Sequence, residues 1–446
     1  MELKDLFLAP LYMLFFYAIA SKIRKKHFAG HPFEPYFMRA LHLKFFGAIG
    51  AGMVYWFYYD YGDTRGFYIG GKKILSFLKT PNSNLFDIIF PSKANVNIDT
   101  FSFLHSIRAF NDTSSFFMYK ICAFISIFSF STYTVIALFF ALFSFISSVY
   151  FYKSLLRIYP TLWKELGIAI FFIPSVYFWG SGLFKDSLTF AGLCLVAGSG
   201  FNLLERHKIN RSIFLLLLGS YLILSIKGYI LLSFAPCFGL YIFLSYNKKI
   251  KSVVLRNLML PFFLVLGLIT GYFFLQQVSS ATPEWSIERI EGRAKDMQKW
   301  HDMVGKIYGG DGSGSNYSVG TIGDFSLGGI LSSFPLVISI TFYRPFLWEV
   351  RSPFMLLTSL EGLFFLWLTI KLFKSYGIKQ VFEIIFSKPI VSFCLLYALI
   401  FGFAVGYTSY NYGALARYKI PCLPFYLLFV YLADYYLKEK KILFAK

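Results

Sequence analysis

Ser131 to Tyr152 reads STYTVIALFFALFSFISSVYFY, a run of 22 residues without a charge and dominated by Phe, Leu, Ile and Val. About 20 apolar residues in helical form cross the hydrocarbon of a bilayer, so this stretch predicts a transmembrane helix. Ten further runs read the same way, near 6–21, 41–59, 166–183, 187–204, 213–226, 229–246, 257–276, 353–370, 389–407 and 420–436. The composition agrees: 57% of the 446 residues are hydrophobic, 21% aromatic and 15% charged. A soluble domain carries roughly 25% charged residues, so a soluble globular chain is excluded. Disorder is excluded by the hydrophobicity.

The net charge of +20 would suggest nucleic acid in a soluble protein. In a membrane protein it is first a topology signal, because Lys and Arg accumulate in cytoplasmic loops. The segments 21–44, 153–165, 205–212, 247–256, 371–388 and 437–446 carry six, three, three, four, four and four basic residues, 24 in all. They hold five acids: Glu34, Glu165, Glu205, Glu383 and Glu439. This balance places those segments inside, provided that 116–129, which is short and contains Lys120, is interfacial or re-entrant. Ala18-Ile19-Ala20 mimics a signal-peptide cleavage site, but the basic cluster Lys22, Arg24, Lys25 and Lys26 follows the apolar run, which favours a retained helix. The expectation is an all-α polytopic integral membrane protein of about eleven transmembrane helices, N-out/C-in. It forms one transmembrane domain over 1–446 with exterior loops at 60–115 and 277–352. The charge is absorbed by topology, and no nucleic-acid partner is implied.

The first exterior loop opens Tyr58-Tyr59-Asp60-Tyr61-Gly62-Asp63-Thr64-Arg65. Asp60 and Asp63 lie where a helix leaves the membrane, and a carboxylate there is less costly than one at mid-bilayer. Flanked by aromatics and Arg65, either acid suits a general base or a cation ligand. The same spacing also suits a plain helix exit with tyrosine anchors. Residues 66–79 put Phe67, Ile74, Leu75 and Leu78 on one side and Lys72, Lys73 and Lys79 elsewhere, the pattern of an in-plane amphipathic helix. Lys185, Lys227, Arg344, Arg417 and Lys419 form a set of exterior cations at helix ends that could clamp a phosphate. Asp186 suits the first turn of a helix, where the dipole favours an acid.

The second loop begins as a charged helix that includes Glu291, Arg293 and His301, and continues into the glycine-rich stretch 309–316, which reads as a covering loop. His301 has no second ligand at metal spacing. No resident cofactor is predicted, and a divalent metal joining Asp60 and Asp63 is left open. Cys122, Cys194, Cys237, Cys394 and Cys422 all fall in apolar stretches, as buried thiols do.

The order of these features resembles the GT-C class of polytopic glycosyltransferases, and in particular the bacterial dolichyl-phosphate-mannose-transferase-like proteins of cell-envelope polysaccharide pathways. Gly62-Asp63-Thr64 with Tyr68 is similar to the first-loop acidic motif of that class. Phe171 to Asp186 (FFIPSVYFWGSGLFKD), Phe342 to Phe346 with Glu361, and Ala416-Arg417-Tyr418 with Pro421 and Pro424 resemble its later segments. The resemblance implies a multi-pass protein of the bacterial cytoplasmic membrane that takes a sugar from a polyprenyl-phosphate donor to a lipid-linked or glycan acceptor. It implies Asp63 as base or acceptor guide and basic residues on the donor phosphate. Many members carry the acid after their first helix, whereas here it follows the second predicted span. An oligosaccharide-repeat polymerase or ligase would depend more on Arg344, Arg417 and Arg293 than on Asp63. A transporter would need polar groups deep in the spans, where Glu361 and Asp434 are the acids on offer, and a non-catalytic membrane protein would need none of these residues.

A reporter fused within 247–256 is expected to read as cytoplasmic; a reading on the opposite side would invert every later loop.

Overall fold

A computed structural model describes residues 1–59, 62–81, 83, 85–89, 98–107, 112–247, 303, 317, 327–409 and 411–444. Among these the chain is helical, with no strand. Seven helices are long and apolar enough to cross a membrane, and a bent pair raises this to eight. The sequence offers no linker to divide the chain, yet the fold divides it into two compact units. The first comprises Met1–Gly167 and Val176–Lys227, the second Ile168–Ser175 and Gly228–Lys446.

In the first unit, α1 (Leu3–Phe28), α2 (Glu34–Met53), α3 (Asp63–Phe77), α4 (Leu85–Ile89), α5 (Ile98–Ser106), α6 (Thr113–Phe128) and α7 (Tyr133–Ile158) follow one another. Two short helices, α8 (Trp163–Phe171) and α9 (Pro174–Phe178), of which Ile168–Ser175 counts with the second unit, precede α10 (Lys185–Leu204) and α11 (Ile209–Lys227). The charge-free stretch quoted first forms most of α7, with Tyr133 to Leu138 all buried. α10 is hydrophobic all round and buried from Asp186 to Asn202, as a helix enclosed by others must be. Its small residues permit this. A Cβ on Gly192 would lie 2.9 Å from the carbonyl oxygen of Gly219, and one on Gly219 would lie 2.6 Å from that of Gly192. Backbones approach this closely only where side chains are absent, the usual packing device between membrane helices. Tyr150 links Ser199 to Ser212, and Asp186 meets Lys227. Numbers rise along α10 as they fall along α11, so the pair is antiparallel.

The described residues of the segment 60–115 build helices of their own. α3 lies where the amphipathic pattern predicts, with Phe67 and Ile74 buried and Lys73 exposed. Gly70 and Gly71 let it close on Tyr119 and Cys122 of α6. Ile74, Ile88, Leu104, Ile107, Phe116 and Ala123 form a small satellite core there. α6 is a 16-residue apolar helix, shorter than a spanning helix requires.

In the second unit, α12 (Tyr229–Asn247), α13 (Leu327–Phe342), α14 (Pro353–Tyr376), α15 (Ile378–Ser387), α16 (Pro389–Ser409), α17 (Tyr412–Tyr418) and α18 (Leu423–Phe444) pack through aromatic side chains. Tyr426 of α18 stacks on Phe342 and Phe365, and Phe234, Phe393, Tyr397 and Phe425 form a second ring cluster.

The expected spans near 6–21, 131–152, 187–204, 213–226, 229–246, 353–370 and 389–407 coincide with the seven spanning helices. The stretch near 420–436 falls in the bent pair, whose halves meet at 66°. Residues 257–276 lie outside the described residues. Two of the expected spans are not built as one continuous α-helix. The unbroken span over 166–183 is split, because Pro174 has no N–H to continue the α8 ladder and α9 starts anew. The stretch 41–59 crosses from α2 into a π-helical turn at Val54–Tyr58, and with Arg39 and Lys44 α2 is not among the helices apolar enough to span.

Gly192→Val should overpack the α10–α11 contact and destabilise by about 1–3 kcal/mol, seen as a lower melting temperature in detergent. Gly239→Ala, with nothing within 4 Å of its added Cβ, should leave that temperature unchanged or raise it.

Candidate functional site

The site grows from helix ends in the first unit. Gly62 has φ 127°, a conformation that favours glycine, and a Cβ there would sit 2.5 Å from the ring of Tyr55. It therefore sets the start of α3 and puts Asp63 in the first turn, where the helix dipole favours a carboxylate. Asp63 is exposed. Thr64 is buried and shares a 2.7 Å hydrogen bond with the Tyr133 hydroxyl, while the Arg65 guanidinium lies over the Trp56 ring at 4.6 Å.

One turn beyond Asp63, Phe67 carries the ammonium of Lys185 above its ring at 5.8 Å. Residues four apart are neighbours along a helix, so Lys185 meets α3 one turn away from Asp63. The same ammonium donates to Ser114 Oγ at 2.6 Å and pairs with Asp112 Oδ2 at 3.3 Å. Asp112 caps α6, accepting from the backbone N–H and hydroxyl groups of Ser114 and Ser115. Burial opposes ionisation of this carboxyl, but the two serines and Lys185 prevail and hold it down at about 2. Beside Lys185, Asp186 is 3% exposed and accepts from Lys227 Nζ at 2.5 Å, closing the α10–α11 hairpin. Lys185, Asp186 and Lys227, proposed separately from sequence, thus stand at the same end of the antiparallel pair.

The remaining candidates lie elsewhere. In the second unit Arg344 forms a two-pronged contact with Glu349, through Nε at 3.0 Å and through Nη2. Glu349 also accepts from the Phe346 N–H at 2.7 Å and the Tyr412 hydroxyl at 3.3 Å. The hydrogen bonds that Arg344 donates to Glu349 raise the Arg344 pKa despite burial, and Arg344 in turn lowers that of Glu349 against burial. Lys419, expected at the exterior surface, is instead 1% exposed, 3.3 Å from Glu361 Oε1 and 3.1 Å from the Thr341 carbonyl. Glu361 accepts further from the Ser175 N–H and hydroxyl at 2.7 and 3.0 Å. A buried ammonium needs an internal partner, here a carboxylate, and Lys419 is withdrawn from any surface ligand. Arg417 is half-buried on α17. Asp60, Glu291, Arg293 and His301 lie outside the described residues. Among the described residues no group of three or more His, Cys, Asp or Glu side chains gathers as a metal site.

Two residues escaped the sequence reading. Asp112 was legible as the acid before Thr113-Ser114-Ser115 and an apolar run, a helix-start pattern. Lys44, counted with the cytoplasmic segment 21–44, is wholly buried. It donates to Ser144 Oγ at 3.0 Å and to the carbonyls of Val176 and Gly180 at 3.2 and 3.0 Å. Those carbonyls lie in and just after the last turn of α9, where the helix end favours a cation, and Ser144 Oγ also donates to Gly180 at 2.9 Å.

Chemically, the Lys185 ammonium is divided between a hydroxyl and a carboxylate that is 43% exposed. An incoming phosphate can take the place of Asp112 there, with the α10 N-terminus adding favourable dipole. No family model matches the chain, and no curated protein or solved structure matches it.

Asp112 has its folded pKa lowered from 3.8, so its stabilisation is complete above the ordinary carboxylate range and is lost as pH falls towards about 2. The melting-temperature difference between wild type and Asp112→Asn should therefore shrink steadily over that interval. A difference independent of pH would show that the charge contributes nothing.

Proposed function

We propose that the protein is a glycosyltransferase of the GT-C type that moves a sugar from a polyprenyl-phosphate donor to a cell-envelope acceptor on the non-cytoplasmic face of the bacterial inner membrane. The observation that carries this reading is the meeting of Lys185 with Asp112 and with Phe67, one turn after Asp63 on α3, in one unit. Catalysis by a lipid-phosphate transferase needs a base and a cation at one depth, and these segments are far apart in sequence. The arrangement of about eleven spans, N-out/C-in, belongs to the same proposal; it takes 41–59 (α2 with its π-helical turn) and 166–183 (α8 with α9) as crossings, and so puts 60–115 outside.

In the proposed reaction Asp63 takes the proton of the acceptor hydroxyl as the new bond to the anomeric carbon forms. The bond from that carbon to the phosphate oxygen breaks, and its electron pair leaves with the phosphate, which Lys185 neutralises. A single base without a nucleophile pair predicts inversion. Lys419 and Arg344, already held by Glu361 and Glu349, support the buried framework in this reading, and Lys185 takes the donor phosphate.

Wild type, Asp63→Asn and Arg417→Ala, matched for membrane level, can be assayed for sugar transfer from polyprenyl-linked donors. Asp63→Asn should lose activity by about 10²–10⁴-fold, the usual contribution of a general base. Full activity in that variant would defeat the mechanism, and loss of product chain length alone in Arg417→Ala would indicate a polymerase.

A further inference from the structure

α15 is joined to α14 by Gly377 alone and to α16 by Lys388 alone. α14 and α16 are both long and apolar enough to span. Ten residues of helix extend about 15 Å, half of a hydrocarbon core of about 30 Å, so α15 cannot carry the chain across. The end of α14 and the start of α16 therefore lie on one membrane face, and α15 lies along it.

The ten residues of α15 sort into three sectors. Val381, Ile384 and Ile385 are buried against the unit. Lys379, Gln380, Glu383 and Ser387 form a polar sector, tied to α18 by Lys440 on Glu383 at 2.5 Å. Between them runs a flank of Ile378, Phe382 and Phe386, which are 67%, 48% and 80% exposed. Their spacing of four keeps them on one line along the helix. The segment 371–388 that holds this flank carries Lys371, Lys374, Lys379 and Lys388 against one acid, Glu383.

We propose that α15 is an interfacial anchor whose occupant is the anionic leaflet of the bilayer. Ile378, Phe382 and Phe386 enter the boundary between headgroups and acyl chains, and the lysines of the segment lie on anionic headgroups. The adjoining spans bring this flank to the membrane surface, and the excess of lysine complements that surface. The proposal is independent of the transfer reaction.

Nitroxide labels placed at Phe386→Cys and Lys379→Cys in the full-length protein test it. Cys122, Cys194, Cys237, Cys394 and Cys422 are all buried, and labelled wild type sets the background. In vesicles of phosphatidylcholine with phosphatidylglycerol, the label at 386 should collide with oxygen several-fold more than with a nickel chelate, and the label at 379 should show the reverse. Omitting phosphatidylglycerol should raise the nickel accessibility at 386. Equal nickel accessibility at the two positions would overturn the anchor, and indifference to phosphatidylglycerol would overturn its anionic occupant.

Discussion

A charge withdrawn from water needs an internal partner, and that constraint organises both units. Asp186 is buried at the start of α10 and meets Lys227 at the end of α11. Glu361 and Lys419 are buried together and absorb the N–H and hydroxyl of Ser175. Lys44, with no carboxylate in contact among the described residues, is held by a serine hydroxyl and two carbonyls at and just beyond the end of a short helix. Removing one member of a buried pair costs about 3–5 kcal/mol, because the other charge is left uncompensated. Such pairs fix which helices meet and in which register.

The same constraint separates framework from site. Cations with a buried carboxylate are committed to the fold. Lys185 differs, because its partner Asp112 is half-exposed and already satisfied by Ser114 and Ser115. An anion can displace Asp112 without orphaning it. The half-open pair beside the exposed Asp63 is the chemistry on which the proposed transfer rests.

Much of the fold was legible in the sequence because long apolar runs have one stable form in a bilayer. α1, α7, α10, α11, α12, α14 and α16 all stand where hydropathy puts them. Hydropathy reports how apolar a run is, without its continuity, so Pro174 divided a stretch that reads as one span. It also assigns a lysine by its distance from the apolar centre. Lys44 was therefore counted with the solvated charges, although tertiary contacts from α7 and the end of α9 bury it. Lys185, Asp186 and Lys227 were recognisable as helix-end charges. That the last two pair with each other, and the first with Asp112, depends on antiparallel packing between glycines, which no local pattern encodes. The +20 charge with which the composition first suggests a polyanion falls mostly in short segments between or after apolar runs, where 24 basic residues stand against five acids.

The central claim is that Lys185 is the cation available to a lipid phosphate. Equilibrium binding of a polyprenyl phosphate to the protein in nanodiscs, compared with Lys185→Gln, tests it most directly. The account predicts binding weaker by about tenfold or more in the variant, as expected on losing one charge-assisted hydrogen bond. Unchanged affinity in a variant that melts like wild type would contradict it.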